Sequence, residues 1–145
     1  MSNKRILLVE DNCDDEELTL MAFEQSNINS EIKVVRDGAE ALDYLFRTNI
    51  YAQRQPNDNP ALILLDLNLP KIGGLEVLRR LRAQEETRLL PVVILTTSKD
   101  EQDLINSYNF GCNSYVCKPV DYQQFLFATS QLGVYWLSLN ELPPQ

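Results

Sequence analysis

Short apolar runs alternate with amphipathic stretches along the chain. Lys4–Val9 reads KRILLV, a continuous apolar run of the kind buried parallel strands show. Leu18, Met21 and Ala22 follow at helical spacing, and that pattern ends near Ser26 and Asn27. EIKVV, from Glu31 to Val35, predicts a second strand; Asp37-Gly38 is a turn signal, and Ala39, Leu42, Leu45 and Phe46 form one face of a helix. Between Asn49 and Asn59 the chain turns polar and predicts a loop, long for such a connection.

The alternation then resumes. ALILLD predicts the third strand, and Leu75, Leu78 and Leu81 mark the third helix. Pro91 opens PVVILT, the fourth strand. Ser98-Lys99-Asp100-Glu101 has the pattern of a capping box and introduces a helix with Leu104, Ile105 and Tyr108. SYVCK predicts a short fifth strand, and Asp121 is placed to cap a last helix with Phe125, Ala128 and Leu132. Strand and helix alternate five times, with no internal repeat. Such a chain builds a parallel sheet covered on both faces, and right-handed crossovers make a five-stranded doubly wound α/β sheet the natural topology. Sites in these folds form beyond the carboxyl ends of the strands.

Composition narrows the function. The 145 residues suit one domain with a real core. The net charge of −8 disfavours nucleic acid and anionic membrane surfaces, both of which attract Lys and Arg. No run approaches the length of a membrane span, and the apolar stretch Ile6–Val9 is too short for a signal peptide, so a cytoplasmic protein is expected. Cys13, Cys112 and Cys117 lack metal-ligand spacing and read as free thiols; the chain has no histidine. That absence removes both a zinc ligand and the commonest general base.

The strand ends carry the chemistry. The first run ends in Glu10-Asp11, the third in Asp66, the fourth in Thr96-Thr97 and the fifth in Lys118-Pro119. Alone, each residue has an ordinary explanation: a loop acid or helix cap for Asp66, Glu10 and Asp11, a β-branched strand residue for Thr96, a solvated lysine for Lys118. Asp14, Asp15, Glu16 and Glu17 read as a helix first turn favoured by the dipole, with no chemistry assigned. Together, three acids at one sheet edge require a cation, and Mg²⁺ suits an all-oxygen set that leaves room for a phosphate oxygen. Asp66 could then attack phosphorus as a carboxylate nucleophile, with Lys118 and the Thr96 hydroxyl holding other phosphoryl oxygens.

On these residues the chain resembles the receiver domains of two-component response regulators, over roughly Lys4 to Leu132. Glu10-Asp11 is similar to the family's metal-binding pair, Asp66 in DLNLP followed by Gly74 to its phospho-acceptor motif, Thr96 to its strand-four hydroxyl and Lys118-Pro119 to its Lys-Pro. The resemblance implies a flavodoxin-like three-layer sandwich with strand order 2-1-3-4-5. It implies Mg²⁺ on Asp11, Asp66 and the backbone carbonyl of Asn68, with Glu10 acting through water and Mn²⁺ or Ca²⁺ able to substitute. It further implies a switch in which Thr96 moves toward the phosphoryl group and Tyr115 turns inward behind it, with the surface of the fourth helix, fifth strand and fifth helix remodelled. The Lys118–Pro119 bond is expected to be cis. The phosphoryl donor would be a sensor histidine kinase docked against the first helix. The only catalysis expected is the chain's own phosphotransfer and dephosphorylation.

Two departures from the family pattern stand out. Gly73 occupies a position where Asp is common, and Thr97 one where Ala or Gly is usual; a bulkier residue there would slow phosphate access or hydrolysis. The long loop and the ending VYWLSLNELPPQ resemble the small stand-alone regulators paired with cyanobacterial phytochromes. Residues 1–133 are expected to form the receiver, and 134–145 an apolar extension. Val134, Tyr135, Trp136, Leu137, Leu139 and Leu142 either fold back on the body or cover a partner; a homodimer through this segment is the favoured expectation. Other readings are a receiver that binds proteins without being phosphorylated and an aspartate-based phosphohydrolase. The hydrolase typically carries a second Asp where this chain has Asn68. A flavodoxin-like cofactor binder would need a phosphate-cradling loop, which EDNCDDEE opposes.

Overall fold

Residues 4–28 and 30–144 are described by the structure, a computed structural model. Five strands, β1 (Arg5–Val9), β2 (Glu31–Val35), β3 (Leu62–Leu65), β4 (Val92–Thr96) and β5 (Ser114–Cys117), form one parallel sheet in the order β2-β1-β3-β4-β5. The helices α1 (Cys13–Gln25), α2 (Gly38–Phe46), α3 (Gly74–Ala83), α4 (Glu101–Asn109) and α5 (Tyr122–Val134) connect and follow them. This is the expected doubly wound sandwich.

The continuous apolar runs are explained by burial on both faces. In β1, Leu7 and Val9 face a core shared with Ala41, Leu45, Val77 and Leu81 of α2 and α3. Ile6 and Leu8 face the opposite core, with Phe23 of α1 and the C-terminal segment. Strand residues alternate sides, so a strand covered on both faces needs no polar positions.

Side-chain caps set most helix starts. Asn12, Asp37 and Asp121 accept from the backbone N–H three residues on in α1, α2 and α5. For α4 the expected capping box is replaced: Asp100 is the cap, accepting from the Gln102 N–H, while the Ser98 hydroxyl donates to Asp103 at 2.6 Å. Asp100 already presents a carboxylate at the helix start, which frees Ser98 for the connection preceding it. The long loop is partly ordered by a 3₁₀ turn, Asn49–Tyr51, and by Arg54, whose guanidinium lies over the Tyr44 ring and donates to the Tyr44 carbonyl at 2.8 Å.

Arg82, on α3, gathers the ends of several elements away from the strand carboxyl ends. It donates to the carbonyls of Gly111 (2.9 Å), Arg88 (3.0 Å) and Leu90 (2.8 Å) and to the Asn113 side chain (3.0 Å).

The apolar ending divides. A π-helical turn, Tyr135–Leu139, continues α5 and buries Trp136 and Leu137 beside Ile6, Leu8, Phe23 and Leu62. Lys4 Nζ donates to the Leu137 carbonyl at 2.7 Å. Tyr135 and Leu139 remain exposed. Gly133 permits the approach of α5 to α1, because a Cβ there would overlap Ile28 and the Phe23 ring. The last residue of the expected 134–145 extension and the first three of the 1–133 domain lie outside the described residues.

Candidate functional site

Sheet register assembles the site. Val9 pairs with Leu65, so Glu10 and Asp66 leave adjacent strands side by side. Thr96 pairs with Cys117 at the next strand boundary, and Lys118 follows immediately, its N–H donating to the Thr96 carbonyl at 2.7 Å. The position between β1 and β3 is where the winding reverses, as expected for a site in this topology. Gly74 lets α3 begin against the end of β3: a Cβ there would overlap the Asp66 backbone carbonyl. That close approach is a physical reason for a glycine following DLNLP.

Glu10, Asp66, Thr96 and Lys118 are all buried, whereas Asp11 is exposed at the rim. Carboxylate oxygens of Glu10, Asp11 and Asp66 lie within 4.8 Å of one another. Lys118 Nζ donates to Asp66 Oδ2 at 2.9 Å and to Asp15 Oδ2 at 2.8 Å, and lies 2.7 Å from Glu10 Oε1. The remaining Asp66 oxygen, Oδ1, accepts from the Asn68 N–H at 3.2 Å.

The electrostatics follow from burial and from the lysine. Desolvation pushes the Glu10 carboxyl up to about 7, against the pull of Lys118. Burial also acts to raise Asp66, but the Lys118 ammonium, the Thr96 hydroxyl and the Asn68 N–H together hold it below the usual carboxylate range. For Lys118, burial favours the neutral amine; hydrogen bonds to Asp15, Glu10 and Asp66 outweigh it and hold the proton more firmly than in free lysine. Asp66 is therefore an anion and Lys118 a cation at neutral pH. An anionic carboxylate with an ammonium beside it has the two charges that an in-line displacement at phosphorus requires.

Tyr115 sits on β5, half-buried, with its hydroxyl donating to the Ser98 carbonyl at 3.0 Å. Cys117 Sγ approaches the same carbonyl at 3.5 Å, and the Ser98 N–H reaches Thr96 Oγ1 at 3.4 Å. Ser98 thus connects β4, β5 and α4. The Lys118–Pro119 bond is trans, not cis as the resemblance implied, and no cis peptide occurs among the described residues; trans is the intrinsically preferred isomer of an X–Pro bond. Thr97 is exposed at the mouth of the site.

Asp15 is the site residue that sequence reasoning missed. It lies in the first turn of α1, its N–H donating to the Asn12 cap at 3.0 Å. That cap is legible in the sequence, but the placing of the turn against Lys118, which follows β5, is not.

Residues 6–129 match the response regulator receiver domain. The chain belongs to this family. Response regulator Rcp1 of Synechocystis sp. is 37% identical over 97% of this chain and 93% of its own, and its Mn²⁺-bound crystal structure has a TM-score of 0.91. The phosphorylated cyanobacterial phytochrome response regulator RcpA is 39% identical, covers 99% of this chain and 100% of its own, and has a TM-score of 0.92. The bacteriophytochrome response regulator RtBRR is 52% identical over 99% of this chain and 86% of its own, with a TM-score of 0.78. Receiver domains are signalling domains, and this chain has the family's fold, strand order and acidic cluster.

Proposed function

We propose that this receiver domain accepts a phosphoryl group on Asp66 from a sensor histidine kinase and signals by a change of conformation. The observation that carries this reading is the Asp66–Lys118 contact of 2.9 Å within a cluster of acids. Lys118 holds Asp66 ionised, and an ionised carboxylate is a competent nucleophile at phosphorus. As the Asp66 oxygen forms its bond to phosphorus, the bond to the donor nitrogen breaks, and the imidazole leaves with the electron pair. Lys118 and Thr96 then hold phosphoryl oxygens.

The donor set is all oxygen and fits a hard divalent cation, with Asp11, Asp66, the Asn68 carbonyl and, through water, Glu10 as its holders. When bound, Mg²⁺ would neutralise the clustered acids and the charge of the incoming phosphate. The Mn²⁺ of the Rcp1 structure supports a divalent site here.

The switch would run through Ser98. A Thr96 hydroxyl drawn toward the phosphoryl group withdraws from the Ser98 N–H, and Ser98 also carries the bonds to Tyr115 and Asp103. The likeness to RcpA, Rcp1 and RtBRR supports a phytochrome-type kinase as donor. Cytoplasmic location accords with the described helices, none of which is long and apolar enough to cross a membrane. The exposed Tyr135 and Leu139 support a homodimer contact through the C-terminal region.

Acetyl phosphate and MgCl₂ test the reading. The native chain should gain the mass of one phosphoryl group and a slow band on a phosphate-affinity gel, and Asp66→Asn should gain neither. Equal labelling of both chains would place the acceptor elsewhere. Turnover of many phosphate esters would favour a hydrolase.

A further inference from the structure

Three carboxylates enclose the ammonium of Lys118: it donates to Asp15 at 2.8 Å and to Asp66 at 2.9 Å, and Glu10 pairs with it at 2.7 Å. A phosphoryl oxygen arriving at Lys118 must therefore replace one of the three.

Burial decides which one yields. The Glu10 and Asp66 side chains are 2% and 8% exposed, whereas Asp15 is 21% exposed. A carboxylate released from the ammonium must be solvated again, and only Asp15 stands where water reaches it. It also lies in the first turn of α1, where the free amides and the helix dipole favour an unpaired anion. Asp66 cannot move away, because it is the attacking group.

We propose that Asp15 is a positioning residue that holds the Lys118 donor needed by the phosphoryl group, and so restrains phosphorylation of Asp66. The inference rests on Asp66 being the acceptor. In the transfer from acetyl phosphate, an Asp66 oxygen bonds to phosphorus while the acyl P–O bond breaks, and acetate leaves with the electron pair. No proton moves. Lys118 exchanges Asp15 for a phosphoryl oxygen, and the freed first turn of α1 becomes a second place, besides the Ser98 connection, where the modified state differs from the resting one.

Asp15→Asn keeps the shape and leaves a weaker, uncharged acceptor. Its initial rate of labelling by acetyl phosphate in MgCl₂ should exceed the native rate by about tenfold, the scale of one hydrogen bond to a charged group. Asp14→Asn makes the same charge change on an exposed neighbour that does not touch Lys118, and should leave the rate near the native value. The Asp15→Asn gain should persist at high ionic strength, because a contact this enclosed is poorly screened. Asp15→Glu should fall back toward the native rate, and Asp15→Ala carries the same expectation as Asp15→Asn should that variant fail to fold. A native-like rate in Asp15→Asn, an equal gain in Asp14→Asn, or a gain abolished by salt would overturn the proposal. A native chain that takes no phosphate would instead remove the reading of Asp66 itself.

Discussion

The Tyr115 hydroxyl donates to the Ser98 carbonyl at 3.0 Å, joining β5 to the connection between β4 and α4. Tyr115→Phe removes that donor and leaves the ring in place. The variant should lose about 1 kcal/mol of stability, and the amides of residues 98–100 should exchange hydrogen faster. Unaltered exchange there would mean that the bond does not restrain the connection.

Lys118→Met leaves Glu10, Asp15 and Asp66 facing one another without their cation. Removing one partner of a buried charge cluster is expected to reduce stability by about 3 kcal/mol, read from the urea midpoint near neutral pH. A midpoint equal to the native one would show that the carboxylates need no counter-charge.

Gly74→Ala forces a methyl group onto the Asp66 backbone carbonyl. Overpacking of this kind should cost about 2–3 kcal/mol and shift Asp66 enough to reduce its labelling by acetyl phosphate. Gly73→Ala, where a Cβ meets only the Leu67 carbonyl at 3.7 Å, is the matched control and should behave like the native chain.

The order of elements and the gathering of Glu10, Asp11, Asp66 and Lys118 at one sheet edge were legible because each rests on local pattern. Apolar runs and helical spacing fixed the five βα units, and the strand-end acids fell where a doubly wound sheet collects its chemistry. What escaped depends on direction in space. Asp15 looks like any first-turn acid until the packing of α1 beside α5 brings it to Lys118, which lies between β5 and α5. Of the residues at helical spacing in α1, Ala22 is buried as expected but Met21 is exposed, and Phe23 fills the core in its place. Leu104, Ile105 and Tyr108 have helical spacing yet are exposed on α4, since periodicity reveals a face but not what covers it.

The single tryptophan reports on the C-terminal segment. Trp136 is 8% exposed against Ile6, Leu8 and Phe23, so its fluorescence should be blue-shifted in the folded protein and move to the red on unfolding. Trp136→Ala should reduce stability by about 3 kcal/mol. A water-like emission maximum in the native protein would contradict the packing.

Tyr51 provides a pH signature. Burial and the Glu40 carboxylate, which accepts its hydroxyl at 2.7 Å, push the phenol up to about 12 from an ordinary 10.0. A raised value means that the folded state holds the proton more tightly, so this contribution to stability is complete below the unfolded value and is lost as pH rises through about 12. Phenolate absorbance should show a late tyrosine step, and Glu40→Gln should move that step to lower pH.

Arg82 gives the molecule a fixed end. Its guanidinium ties the carbonyls of Gly111 and Leu90 together, anchoring the tail of α4 to the start of β4, whereas the head of α4 is held through Ser98, Asp100 and Asp103. A helix clamped at one extremity and latched at the other moves as a lever. Displacement at residue 98 should therefore swing Leu104 and Ile105 through a larger arc than Asn109, turning a sub-ångström event beside Asp66 into a reorientation of the outer apolar stripe.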